Sequence, residues 1–88
     1  WNVSNVITFG AMFKGATSYN GFINSWNTNS AEGMDGMFQD ATVFNGYIGS
    51  WDVSNVKLFA YMFKDATAFN QNLENWDVSG ADSVAQMF

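Results

Sequence analysis

WDVSNVKLFAYMFKDATAFNQNLEN, residues 51–75, is the stretch that decides the fold, because a step of 25 residues in either direction lands on a copy of it. Trp1, Trp26, Trp51 and Trp76 open four tandem copies, residues 1–25, 26–50, 51–75 and the partial 76–88. Met12-Phe13, Met37-Phe38, Met62-Phe63 and Met87-Phe88 recur at one offset. Ala16-Thr17, Ala41-Thr42 and Ala66-Thr67 follow, then Tyr19-Asn20, Phe44-Asn45 and Phe69-Asn70, then Ile23, Ile48 and Leu73. A fixed period of this length marks supersecondary units that cannot bury an apolar face alone and stack on their neighbours. Folding as separate beads is excluded by size, since 25 residues without cysteine or a metal site cannot hold a core.

The expected fold is an α/β repeat solenoid, with one short parallel strand and one short helix or 3₁₀ turn in each 25-residue coil. Val56, Phe59, Met62, Phe63 and Ala66 fall at helical spacing, as do Val6, Phe9, Met12, Phe13 and Ala16. Ser4, Asn29, Ser54 and Ser79 stand where an N-cap is wanted. Gly15, Asp40 and Asp65 stand where the helix would stop, and these residues tolerate the left-handed backbone of such a stop. Gly33 and Gly36 loosen the helix in the second copy. Strands are expected over residues 22–28, 47–53 and 72–78, pairing in parallel with a bend near Gly49-Ser50.

In a parallel stack, identical side chains lie about 4.8 Å apart, so each recurring residue becomes a column. Trp1, Trp26, Trp51 and Trp76, and Phe13, Phe38, Phe63 and Phe88, read as packed core columns in preference to a carbohydrate-stacking platform. Asn20, Asn45 and Asn70 read as an internal ladder that hydrogen-bonds turn backbone between coils.

Three cations, Lys14, Lys57 and Lys64, face eight carboxylates with no arginine, which excludes the basic footprint of a nucleic-acid binder. No apolar run approaches the roughly 18 residues that would span a bilayer, so no membrane insertion by this segment is expected. With 48% hydrophobic and 18% aromatic residues, the chain is rich enough in core-formers to fold. Cysteine and histidine are both absent, which removes thiolate sites and the commonest base and metal ligand. Four copies without a polar terminal unit lead to the expectation of a segment excised from a longer array.

If Ile23, Ile48 and Leu73 point inward, then Phe22, Tyr47 and Asn72 point outward beside Asn24, Gly49 and Glu74 on one outer sheet face. Phe22, Tyr47, Asn24, Asn72 and Glu74 are therefore the candidate binding residues, for a protein or glycan partner. Asp52 above Asp77, and Asp40 above Asp65, would approach the separation of a retaining glycosidase pair, but stacking produces such pairs automatically. Oxygen-rich turns also suit calcium, against which solvated turn aspartates are the simpler reading. No catalytic residue, metal or cofactor is assigned, and no enzyme activity is expected.

The string WDVSNV, then MF, then A-T-x-F-N-x-x-L and a new W-D-V-S, resembles the BspA-like bacterial surface-protein and lipoprotein repeat of roughly 25 residues, over residues 1–88. That resemblance implies a leucine-rich-repeat-like array, extracellular and attached to the cell envelope, used for adhesion or other protein contact. Most members have no defined activity. In the second copy Trp26-Asn27-Thr28-Asn29-Ser30-Ala31 replaces WDVSNV, so the aspartate is not present in every copy. The expected function is an extracellular binding or adhesion module; the alternative is a stalk or spacer with no ligand of its own.

Overall fold

The computed structural model describes residues 2–88, so the expectation for Trp1 lies outside the described residues. Its backbone is a succession of turns. In the third copy, i→i−3 hydrogen bonds close turns at Val53–Val56 (3.0 Å), Phe59–Met62 (3.1 Å), Tyr61–Lys64 (3.2 Å), Phe63–Ala66 (3.0 Å), Ala66–Phe69 (3.1 Å) and Leu73–Trp76 (3.0 Å). Bonds at the corresponding positions close the same turns in the first two copies. Most of these turns begin and end on apolar residues, so both corners face the core. The three-residue apolar spacing that predicts a helix is thus the spacing of turn corners.

No α-helix and no extended strand form among the described residues, which overturns the expected α/β repeat solenoid and its leucine-rich-repeat likeness. Two left-handed residues in each of the first three copies, and one in the partial fourth, explain the missing helix. Tyr61 has φ 62° and Asp65 φ 59°, and Ala11, Gly36 and Gln86 match the first while Gly15 and Asp40 match the second. A left-handed L-residue costs roughly 1–2 kcal/mol and cannot propagate a right-handed helix. The left-handed backbone expected at Gly15, Asp40 and Asp65 is present, but there is no helix for it to stop. The serine caps are corrected too: Ser4, Asn29, Ser54 and Ser79 donate their N–H groups to the side chains of Asn2, Asn27, Asp52 and Asp77, each at 3.0 Å, in Asx turns.

Alternate N–H groups leave the turns and bind the next copy. Those of Phe9, Ala11, Phe13 and Gly15 donate to the carbonyls of Gly33, Asp35, Met37 and Gln39 at 2.8–2.9 Å, and those of Met34, Gly36, Phe38 and Asp40 repeat the pattern on the third copy. Isolated parallel bridges link Thr8 to Gly33, Gly33 to Leu58 and Leu58 to Ser83. They lie inside the stretch assigned to helix. The expected strands over 22–28, 47–53 and 72–78 are coil and turn instead. Side chains explain why: the Ile23 carbonyl accepts the Trp51 indole N–H (3.0 Å) and the Asn24 carbonyl the Ser50 hydroxyl (3.2 Å), so no backbone ladder forms there.

The result is a body of 29 × 28 × 22 Å, mostly coil, with its core along the ring columns. Phe13, Phe38, Phe63 and Phe88 stack at 5.5, 5.7 and 5.2 Å between centroids, and Tyr19, Phe44 and Phe69 stack beside them at 5.9 Å. Trp26 and Trp51 are 6.3 Å apart and nearly parallel. Phe38, Phe44, Phe59, Met34, Met37, Ile48 and Met62 are fully buried around these stacks. Among the described residues Thr28 is the only buried polar side chain, and its hydroxyl donates to the Asp52 carbonyl at 3.0 Å.

Candidate binding cleft

The turn from Ala16 to Tyr19 and its equivalents bring the chain out to a rim of asparagines. There the Asn45 N–H donates to Asn20 Oδ1 at 2.9 Å and the Asn70 N–H to Asn45 Oδ1 at 2.8 Å, one copy reading the next. Gln71 adds its Nε2, which donates to the Asn45 carbonyl at 2.8 Å and to Asn45 Oδ1 at 3.2 Å. The chain then passes Gly21 and Gly46, where a Cβ on Gly46 would lie 3.0 Å from the Gly21 carbonyl oxygen. These small residues let the backbone drop below the rim. A cleft of about 340 Å³ results, lined by Asn20, Gly21, Phe22, Asn24, Asn45, Gly46, Tyr47 and Gln71.

Phe22 is 94% exposed and Tyr47 47% exposed, both on the cleft. A phenylalanine ring this open has gained almost nothing from the core. Asn24 lines the same cleft. Asn72 and Glu74 are exposed but do not line it; the Asn72 side chain accepts the Glu74 N–H at 2.8 Å in a further Asx turn. Gly49, expected on the same outer face, is buried: a Cβ there would stand 2.6 Å from the Asn72 carbonyl and 2.7 Å from the Tyr47 ring. The outer sheet face is therefore replaced by a coil-lined cleft, since no sheet exists to present one. Asn20, Asn45 and Gln71 were missed as lining residues. The recurrence of Asn20 and Asn45 signals a structural ladder, and only their exposure shows that they also edge an opening.

The chemistry of the cleft is uncharged. Asparagine and glutamine amides offer donors and acceptors, two aromatic rings offer flat apolar faces, and no carboxylate or ammonium group lines it. Trp51 and Trp76 do not contribute: they are 4% and 9% exposed, and each indole N–H donates to a carbonyl, of Ile23 and of Ile48, at 3.0 Å.

Two of the acidic residues have local duties. Asp52 and Asp77 each accept the hydroxyl (2.6 Å) and N–H (3.0 Å) of the serine two residues on, Ser54 and Ser79. These bonds, the hydroxyl first, hold both carboxyls below the usual carboxylate range. Burial pushes the Tyr19 phenol up. Among the described residues no group of three or more metal-ligating side chains converges, and no helix is long and apolar enough to cross a membrane.

A family model described as "Mycoplasma protein of unknown function, DUF285" matches residues 1–88. No curated protein and no solved structure matches the chain. Neither the coil architecture nor the family match supports the adhesive, secreted solenoid that the sequence resemblance implies.

Proposed function

The chain belongs to the DUF285 family, and from that premise we propose that it is a binding module, with no reaction of its own, that holds a neutral saccharide in the cleft between Phe22 and Tyr47. The observation that carries this reading is the 94% exposure of Phe22 at the edge of an opening lined otherwise by amides and glycines. A pyranose ring has an apolar face suited to an aromatic ring and hydroxyls suited to amides. The uncharged lining disfavours an ionic ligand, and the net charge of −5 adds repulsion toward an anionic one. The extracellular setting is part of the proposal and rests on the sequence resemblance alone.

A glycan array followed by calorimetry tests it. Neutral oligosaccharides are expected to bind, and Phe22→Ala or Tyr47→Ala is expected to weaken binding by about tenfold, roughly 1.4 kcal/mol, without lowering the unfolding temperature. Capture of a protein ligand lost in the same variants would keep the cleft and reject the saccharide. A folded sample that binds nothing would leave the spacer reading.

A further inference from the structure

We infer that the cleft selects saccharides carrying an N-acetyl group, and that the amides of Asn45 and Gln71 recognise that group; the inference rests on the saccharide reading above. The asparagine ladder fixes which way each rim amide faces. A backbone N–H can only donate, so the atom that the Asn45 N–H meets at 2.9 Å is the side-chain oxygen of Asn20, and the atom that the Asn70 N–H meets at 2.8 Å is that of Asn45. Each Nδ2 is then turned away from the ladder. Neither has a partner among the described residues, so two cleft-lining residues one copy apart each hold an uncommitted amide donor.

Gln71 supplies the opposite polarity. Gly21 and Gly46 hold its position in the first two copies, and a repeat unit that folds with glycine there does not demand glutamine. A carbonyl oxygen only accepts, so the Gln71 atom at 2.8 Å from the Asn45 carbonyl is Nε2, which also donates to Asn45 Oδ1 at 3.2 Å. The two side-chain amides are thereby held side by side, and Gln71 Oε1 has no partner among the described residues. The pair presents one oriented donor, Asn45 Nδ2, and one oriented acceptor, Gln71 Oε1. A secondary amide is the neutral group of matching polarity: its carbonyl accepts from Nδ2 and its N–H donates to Oε1. A single hydroxyl would need both groups within reach of one oxygen, whereas in an acetamido group donor and acceptor are separate atoms. The acetamido methyl adds apolar surface for the aromatic wall. There the Tyr47 ring leans on Gly49, 2.7 Å from where a Cβ would stand, with 47% of the residue exposed. A carboxylated sugar is disfavoured, since no cation lines the cleft and the net charge is −5.

Triacetylchitotriose and cellotriose are the probes, titrated by calorimetry into the folded chain; they share one β1→4 backbone and differ in a 2-acetamido against a 2-hydroxyl group. The acetylated trisaccharide is expected to bind at least about tenfold more tightly, from the two hydrogen bonds to its acetamido group. Asn45→Asp keeps an oxygen for the Asn70 N–H and removes the Nδ2 donor, so it is expected to bring that ratio near one while the unfolding temperature holds. Gln71→Met removes the Oε1 acceptor and leaves both ladder bonds in place; it is expected to lower the ratio likewise, and it serves if Asn45→Asp unfolds. Equal affinities in the wild type, or a ratio that survives both substitutions, would overturn the inference and leave the saccharide reading standing. Binding of neither trisaccharide would overturn it too: capture of another neutral glycan on the array would then keep the saccharide reading, and capture of none would reject both.

Discussion

Tyr61 spends its whole folded life with φ at 62°, a conformation that its Cβ disfavours, and so do Ala11 and Gln86 at the corresponding positions. Only Gly36 meets that demand without strain, at the same φ of 62°. The position recurs because the backbone must reverse there, which lets the N–H of Ala11 reach the Asp35 carbonyl while that of Met12 turns back to Phe9. A paired substitution follows from the geometry. Gly36→Ala is expected to destabilise the protein by roughly 1–2 kcal/mol in urea titration, with a further term from Gln39 Oε1, 3.2 Å from the new Cβ. Ala11→Gly is expected to be neutral or stabilising by up to about 1 kcal/mol, because relieved strain offsets the added freedom of the unfolded chain. A stabilising Gly36→Ala would contradict the left-handed assignment. Nothing in the identity of alanine, tyrosine or glutamine announces this conformation, whereas Gly15, Asp40 and Asp65 do so by type.

At the scale of elements, the units of this protein are turns and columns. The tryptophan column shows how one residue serves both. The Trp51 ring lies on Trp26 and near Phe38, and its Nε1 donates to Ile23. That bond, with the Ser50 hydroxyl on the Asn24 carbonyl, stands in place of the strand pairing expected over residues 22–28. Trp51→Phe should therefore cost about 1–3 kcal/mol, for a lost hydrogen bond and a carbonyl left short of its partner. Trp51→Ala should cost roughly 3–5 kcal/mol, for the cavity as well. A Trp51→Phe variant as stable as the wild type, measured by chemical denaturation, would show that the hydrogen bond is immaterial and that packing alone acts. The Asx turns are legible in part. Asn2, Asn27, Asp52 and Asp77 occupy the acceptor position in every copy, so asparagine in the first two copies and aspartate in the last two make the same turn. Reading the serine as the cap reversed donor and acceptor, because both residue types suit a helix start and only the backbone direction distinguishes them.

For the molecule as a whole, order is expected to be greatest where copies are bonded on both sides and least around the open cleft. Phe38 is enclosed between Phe13 and Phe63, and the second copy holds hydrogen bonds on both sides. Amide hydrogen exchange should be slowest at Met34, Gly36, Phe38 and Asp40, whose N–H groups are bonded to the third copy, and fastest at Phe22 and Tyr47, exposed residues whose N–H groups have no partner among the described residues. Uniform protection along the chain would mean that the body opens only as a single unit. The sequence by itself determined which residues meet: the 25-residue period places each tryptophan, phenylalanine and asparagine beside its counterpart, because equal spacing in the chain becomes equal register in space. It also identified Phe22, Asn24 and Tyr47 as outward residues, from the inward demand of Ile23 and Ile48. Only the tertiary structure decided the path between those contacts. A spacing of three apolar residues fits a helix face and a turn with two buried corners equally well. What separates them is where alternate N–H groups find their acceptors, and those acceptors belong to the neighbouring copy.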